Sequence, residues 1–112
     1  MRYVHPDQLA AEWERIRAGL LEVQKNSVED WLPEDVYMSL KTNNSALYIE
    51  EDREGKYLGF FIAQVLPTFH GKRLHVWCAH SATGKPLLRV FLRSIRELAA
   101  QGGTPKITFT SP

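Results

Sequence analysis

The sequence predicts an α+β fold in a single domain, residues 1–112. Three observations carry that reading. Apolar residues recur at spacings of three and four in two well-separated stretches. β-prone runs joined by short polar turns fill the middle of the chain. A strand, a helix and a strand then succeed one another at the C-terminal end. A chain of 112 residues, 44% hydrophobic and 24% charged, sustains one core and is unlike a disordered segment.

Arg2-Tyr3-Val4 reads as a short first strand. His5-Pro6-Asp7 starts a helix, with Pro6 at the first helical position and Asp7 in the first turn. Leu9, Trp13, Ile16, Leu20 and Val23 form its apolar stripe, and the helix ends near Lys25-Asn26. Gly19 costs this helix about 1 kcal/mol relative to Ala, or marks a close approach by another element. A connection from Ser27 to Trp31 leads to a second helix at Leu32-Pro33-Glu34-Asp35, filled by Val36, Tyr37, Met38 and Leu40. Asn43-Asn44 stop it.

Ser45 to Glu51 is the next expected strand, and Asp52-Arg53-Glu54-Gly55 a polar turn. Lys56 to Leu66 forms the second arm of a hairpin, closed by Pro67. Phe69-His70-Gly71-Lys72-Arg73 makes another turn, and Leu74 to His80 a further strand. Ser81 to Pro86 breaks the pattern before the clearest helix, Leu87 to Gln101. Leu88, Phe91, Leu92, Ile95, Leu98 and Ala99 form its apolar face, with Arg89, Arg93, Arg96 and Glu97 on the other. Gly102-Gly103 cap it, Pro105 follows, and Lys106 to Thr110 alternates as a last strand. The architecture expected is an antiparallel meander followed by a βαβ unit, one mixed sheet flanked by helices.

The net charge of +1 conceals a split. Residues 1–70 hold seven Lys/Arg against twelve Asp/Glu, and residues 71–112 hold seven Lys/Arg against Glu97 alone. The two halves then complement each other within one fold, or the basic half meets an anionic partner. No apolar run approaches the ~20 residues of a membrane span, so no membrane partner is expected. The opening residues lack a signal segment, and the single cysteine, Cys78, excludes an internal disulfide. A cytoplasmic location is the expectation.

The order of elements resembles the GNAT superfamily of acetyl-CoA-dependent N-acetyltransferases over nearly the whole chain. Tyr57-Leu58-Gly59-Phe60 is similar to the family's strand in which a Gly precedes apolar residues. Ser81-Ala82-Thr83-Gly84-Lys85-Pro86 stands where the family keeps its pyrophosphate loop. Gly84 matches that motif, whereas Ser81 replaces a Gln or Arg and Pro86 a Gly or Ala. Pro86 has no N–H to offer a phosphate, and Lys85 and Arg89 are the cations that would compensate. The chain ends after the Lys106–Thr110 strand, where the family adds a helix and strands, so the expected fold lacks the family's C-terminal part. Short forms of this kind resemble GNAT-like proteins of tailed bacteriophages.

The resemblance implies acetyl-CoA as the acyl donor and an amine as the acceptor. Trp77 and Ala79 would lie along the pantetheine arm, Thr83, Gly84 and Lys85 at the phosphates, and Arg89 behind them. His75 or His80 would be the general base. Strict alternation places these two histidines on opposite faces of their strand, which does not suit a metal pair, and no Cys/His spacing suggests zinc. Cys78 reads as a small buried thiol against the sharper reading of a nucleophile. Glu50, Glu51, Asp52 and Glu54 read as a solvated turn against the reading of an amine-orienting cluster. Nucleic acid is not the expected partner, because no stacking platform is interleaved with the arginines. The alternative to an enzyme is a non-catalytic scaffold, a bacteriophage virion or assembly component acting through protein partners or self-association.

Overall fold

The structure is a computed structural model, and it describes residues 1–25, 29–104 and 106–109. Asn26, Ser27, Val28, Pro105 and Thr110, for which the sequence carries expectations, lie outside the described residues, as does the side chain of Leu88. The elements are β1 (Arg2–Val4), a short 3-10 turn (Pro6–Gln8), α1 (Leu9–Lys25), α2 (Pro33–Lys41), β2 (Ala46–Glu51), β3 (Tyr57–Thr68), β4 (Gly71–Ser81), α3 (Leu87–Gln101) and β5 (Lys106–Phe109). The five strands form one sheet in the order β1-β2-β3-β4-β5. All neighbours are antiparallel except β4 and β5, which are parallel across α3. This is the expected meander followed by a βαβ unit.

Local chemistry sets the helix ends. The His5 ring accepts the Asp7 N–H at 3.2 Å, and Pro6 opens the turn that leads into α1. The Asp35 carboxylate accepts the Leu32 N–H at 2.8 Å and closes the start of α2. Asn43 ends α2 with φ 62°, a left-handed conformation that asparagine tolerates.

Two cores lie on opposite faces of the sheet. On one, Ile16, Leu20, Val36 and Leu40 of α1 and α2 meet Ile49, Phe60 and Ile62. On the other, Phe91, Ile95 and Ala99 of α3 meet Phe61, Ala63, Leu74 and Val76. Neighbours on β3 thus serve opposite cores, as the period-two pleat requires. Trp31, expected in a connection, is buried at 8% exposure and packs edge-on against Trp77 with centroids 6.2 Å apart.

Two expectations for the β3–β4 hairpin are corrected. Pro67 does not close β3, and Gly71 to Arg73 are not turn. Pairing continues to Thr68↔Gly71, leaving Phe69-His70 as the loop. Pro67 is tolerated because β2 pairs with β3 only as far as Ala63, so the end of β3 has a partner on one side alone. The acidic tip is corrected in part: Asp52 and Glu54 are exposed in the turn as expected, whereas Glu50 and Glu51 are tied into the fold. Glu50 is buried and accepts a hydrogen bond from Ser94 of α3, Glu51 accepts from Arg2 at 2.8 Å, and Asp52 accepts the N–H groups of Glu54 and Lys56 at 2.9 and 2.8 Å.

Candidate functional site

The site is built on β4. Between Ile62 and Ala63 the β3–β4 register shifts, so that Ile62 opposes Cys78 while Ala63 opposes Val76. Trp77 is the extra residue, a β-bulge. Its effect is to reverse the alternation. Leu74 and Val76 face α3, Trp77 and Cys78 both face α1 and α2, and Ala79 returns to the α3 side.

That reversal overturns the expectation for the histidines. His75 lies between Leu74 and Val76 and points to the α1–α2 side. His80 points the same way, with its ring against Phe60 at 5.8 Å between centroids. The two share a face but have different surroundings. His75 shares a hydrogen bond of 2.8 Å with Thr108 on β5. His80 packs beneath Gly19 of α1. Burial holds both imidazoles below the ordinary histidine value, and Arg73 pushes His75 further down against an opposing effect of Glu29. Each is therefore neutral near pH 7.

β5 follows β4 only from Arg73 to Val76 among the described residues. From Trp77 to Ser81 no described residue pairs with β4 on that side, and this open edge begins just beyond His75. The Ala82 N–H donates to the Leu58 carbonyl at 2.9 Å, which makes this a hydrogen-bonded pair of the β3–β4 ladder. Such pairs alternate, so Phe60/His80 is another and the N–H and C=O of Ala79 and Ser81 point away from β3 toward the open edge. An extended chain carrying amides finds a row of partners there.

The edge runs directly into the turn before α3. Gly84 has φ 77°, and the Lys85 N–H donates to Thr83 Oγ1 at 3.3 Å. Thr83, Gly84, Lys85 and Arg89 are all exposed. Pro86 occupies the N-cap of α3 without a side-chain cap, and its carbonyl receives the Arg89 N–H at 3.1 Å. Trp77 and Ala79 thus lie on β4, Thr83, Gly84 and Lys85 in the turn that follows, and Arg89 in the first turn of α3, with His75 and Trp77 on the α1–α2 side of the sheet and Ala79 on the α3 side. Thr108 and Trp31 join the site without having been expected. The parallel register that seats Thr108 beside His75 follows from the βαβ unit once its phase is known.

Cys78 is buried, and desolvation pushes its thiol up to about 12, which removes the nucleophile reading. A cavity of about 420 Å³ lies at the other end of α3, lined by Tyr48, Gln64, Leu74, Leu98 and Thr104, and is separate from this edge. No helix among the described residues is long and apolar enough to cross a membrane.

No family model and no curated protein matches the sequence. Solved structures do match the fold. A probable acetyltransferase superposes with a TM-score of 0.71 at 14% identity, covering 100% of this chain and 80% of that one. A ribosomal-protein-alanine N-acetyltransferase from Brucella melitensis biovar Abortus gives 0.71 at 14% identity over 99% of this chain and 79% of its own. A GNAT family acetyltransferase from Staphylococcus aureus gives 0.63 at 13% identity over 99% and 84%. With a five-stranded mixed sheet and three α-helices among the described residues, the chain has the fold of the GNAT acetyltransferases.

Proposed function

We propose that this protein binds an acetyl-CoA-type thioester along the open edge of β4 and transfers its acyl group to an amine. The observation that carries the reading is the edge of β4 beyond Val76. Among the described residues nothing pairs with it there, the backbone groups of Ala79 and Ser81 point outward, and the strand feeds the Thr83-Gly84-Lys85 turn. Several fold neighbours are described as acetyltransferases, which supports the chemistry.

The residues fit such a donor in part. The outward groups of Ala79 and Ser81 would hold the amides of the pantetheine arm, with Trp77 beside it. Lys85 and Arg89 would meet the phosphates. When bound, the thioester supplies the acyl group. A backbone N–H of β4 past the bulge would polarise its carbonyl. Neutral His75, its ring fixed by Thr108, would take the proton as the amine nitrogen attacks the acyl carbon. The C–S bond breaks, and the proton passes to the leaving thiolate. His80 is held against α1 and is the lesser of the two histidine candidates.

A thermal-unfolding titration with acetyl-CoA tests the reading. Ligand at about a hundred times its Kd adds roughly 2.7 kcal/mol, a shift of several degrees for a domain of this size. Gly84→Glu, placed in open space, should abolish the shift and Gly84→Ala should not. No shift with acetyl-CoA or with any other pantetheine thioester at millimolar concentration would sink the enzyme reading. It would leave the second reading, a non-catalytic scaffold working through protein contacts in a bacteriophage particle or its assembly. Pro86 at the cap of α3 is the observation that favours that alternative.

A further inference from the structure

Three features adjoin one another without explanation by free acetyl-CoA. The first is the quality of the phosphate end. Pro86 at the cap withholds an N–H, and the Lys85 N–H already donates to Thr83. The turn is therefore a poor cradle for a pyrophosphate, although the edge that would hold a pantetheine arm is intact.

The second is the outer face of α3. Arg89, Arg93 and Arg96 are all exposed. At 100° per residue they fall within an arc of about 60°, opposite the side of the buried Phe91 and Ile95, and span about 10 Å of helix. Lys85 extends the row into the turn. Glu97 is the one carboxylate on the helix, and it reaches Arg93 at 3.4 Å.

The third is the scarcity of acid in the segments that lead to this face, Glu97 beside Arg93 and Glu50 at Ser94 being the carboxylates that reach α3. No Asp or Glu occurs between Glu54 and Glu97 in the sequence, so β3, β4, the turn and the first turns of α3 are free of acid. β5 adds none. The row of cations is continuous with the open edge of β4 through a turn of a few residues.

We infer that the acyl donor is a phosphopantetheine thioester carried on an acidic helical protein, whose acidic helix lies along the Arg89–Arg93–Arg96 face while its arm enters the β4 edge. This rests on the proposed acyl transfer and names its donor class. The arm carries one phosphodiester where acetyl-CoA carries a pyrophosphate and a further phosphate, so it asks less of the Pro86 turn. Charge complementarity along the helix supplies what the turn withholds. The bond changes are those of the transfer itself. The acyl carbon leaves the pantetheine sulfur for the amine nitrogen, and the sulfur takes the proton.

The test is a set of binding titrations on the intact chain. The probes are acetyl-CoA, S-acetyl-4′-phosphopantetheine, a bacterial acyl carrier protein with an acetylated arm, the same carrier without the arm, and a single-stranded oligonucleotide. The acetylated carrier should bind about tenfold or more tighter than acetyl-CoA at low salt, and lose that advantage near 0.5 M salt. Arg93→Glu with Arg96→Glu should weaken the carrier about tenfold and leave S-acetyl-4′-phosphopantetheine unaffected. An unchanged melting temperature would show that the variant folds. The inference is overturned if acetyl-CoA binds as tightly as the carrier, if the armless carrier binds equally well, if charge reversal has no effect on the carrier, or if the oligonucleotide binds the face more tightly. In those cases binding of acetyl-CoA leaves the acyl-transfer reading standing. Failure of every pantetheine probe removes both.

Discussion

The His80 imidazole of β4 sits in the notch that Gly19 leaves in α1. A Cβ at position 19 would fall 2.9 Å from His80 Cδ2 and 2.5 Å from Phe60 Cε1. Phe60 is fully buried and has no room to give way. Gly19→Ala gains about 1 kcal/mol of helix propensity but forces this contact apart, at about 1–3 kcal/mol. The expected net effect is a destabilisation near 1 kcal/mol, read from the urea midpoint. A stabilised variant would show that α1 does not bear on β4 in this way.

Gly59 holds the opposite face together. It has φ 150°, and an added Cβ would meet the His80 carbonyl oxygen at 2.1 Å and Phe91 Cζ at 2.9 Å. Backbone cannot yield as a side-chain tip can. Gly59→Ala should cost about 3 kcal/mol or more and loosen α3 first. Hydrogen exchange of the α3 amides would report it, and an exchange pattern like the wild type would contradict it.

The two half-buried histidines make stability depend on pH. Both titrate below the ordinary value of 6.5 in the folded chain, because burial disfavours the imidazolium. The unfolded chain therefore takes up protons first. Stability is full above pH 6.5 and falls as the pH drops through the folded values. The carboxylates of Glu22 and Glu51 titrate below 4.5 in the folded chain, so their contribution is lost in a separate, more acid window. Urea midpoints measured from about pH 7.5 to 5.5 should decline, and His80→Gln should flatten the decline.

Glu50 and Ser94 tie β2 to α3. The carboxylate is 8% exposed and accepts the Ser94 hydroxyl, with the Met1 amine at 3.5 Å. Ser94→Ala removes a donor from a buried charge and should cost about 1–3 kcal/mol. Replacing both residues, Glu50→Gln with Ser94→Ala, should recover part of that loss in a double-mutant cycle.

Cys78 offers a probe of global opening. Its thiol is buried and titrates at about 12. A disulfide-exchange reagent at pH 8 should react with it only at the rate of unfolding, and at once in denaturant. Rapid reaction in native buffer would place the thiol at the surface.

Much of this architecture was legible because periodicity and punctuation agreed. Leu87 to Gln101 emerges with its expected bounds, since its 3.6-residue stripe, its glycine stop and its preceding proline all point to one helix. The bulge was not legible. Val76, Trp77, Cys78 and Ala79 are all apolar or small, so nothing in their order marks where the phase reverses. Without the phase, the shared face of His75 and His80 is hidden. The extra length of the β3–β4 hairpin was hidden for another reason. Gly71, Lys72 and Arg73 carry turn-like or charged character, yet a two-stranded projection needs no buried face to keep its ladder. Trp31 was missed because a lone aromatic between helices has no periodic partners to declare it core.

The strand order has a consequence for how the chain acquires its shape. β2, β3 and β4 follow one another through short turns, so each finds its neighbour soon after leaving the ribosome. β1 waits for its partner across two helices, and β5 waits across one. Loop closure makes those two late and the central three early. The outermost strands, three and four residues long among the described residues, are thus the last to zip and the first to fray. Once Ser81 has cleared the ribosome, the emerged chain already holds every strand of the hairpin scaffold on which the rest is hung.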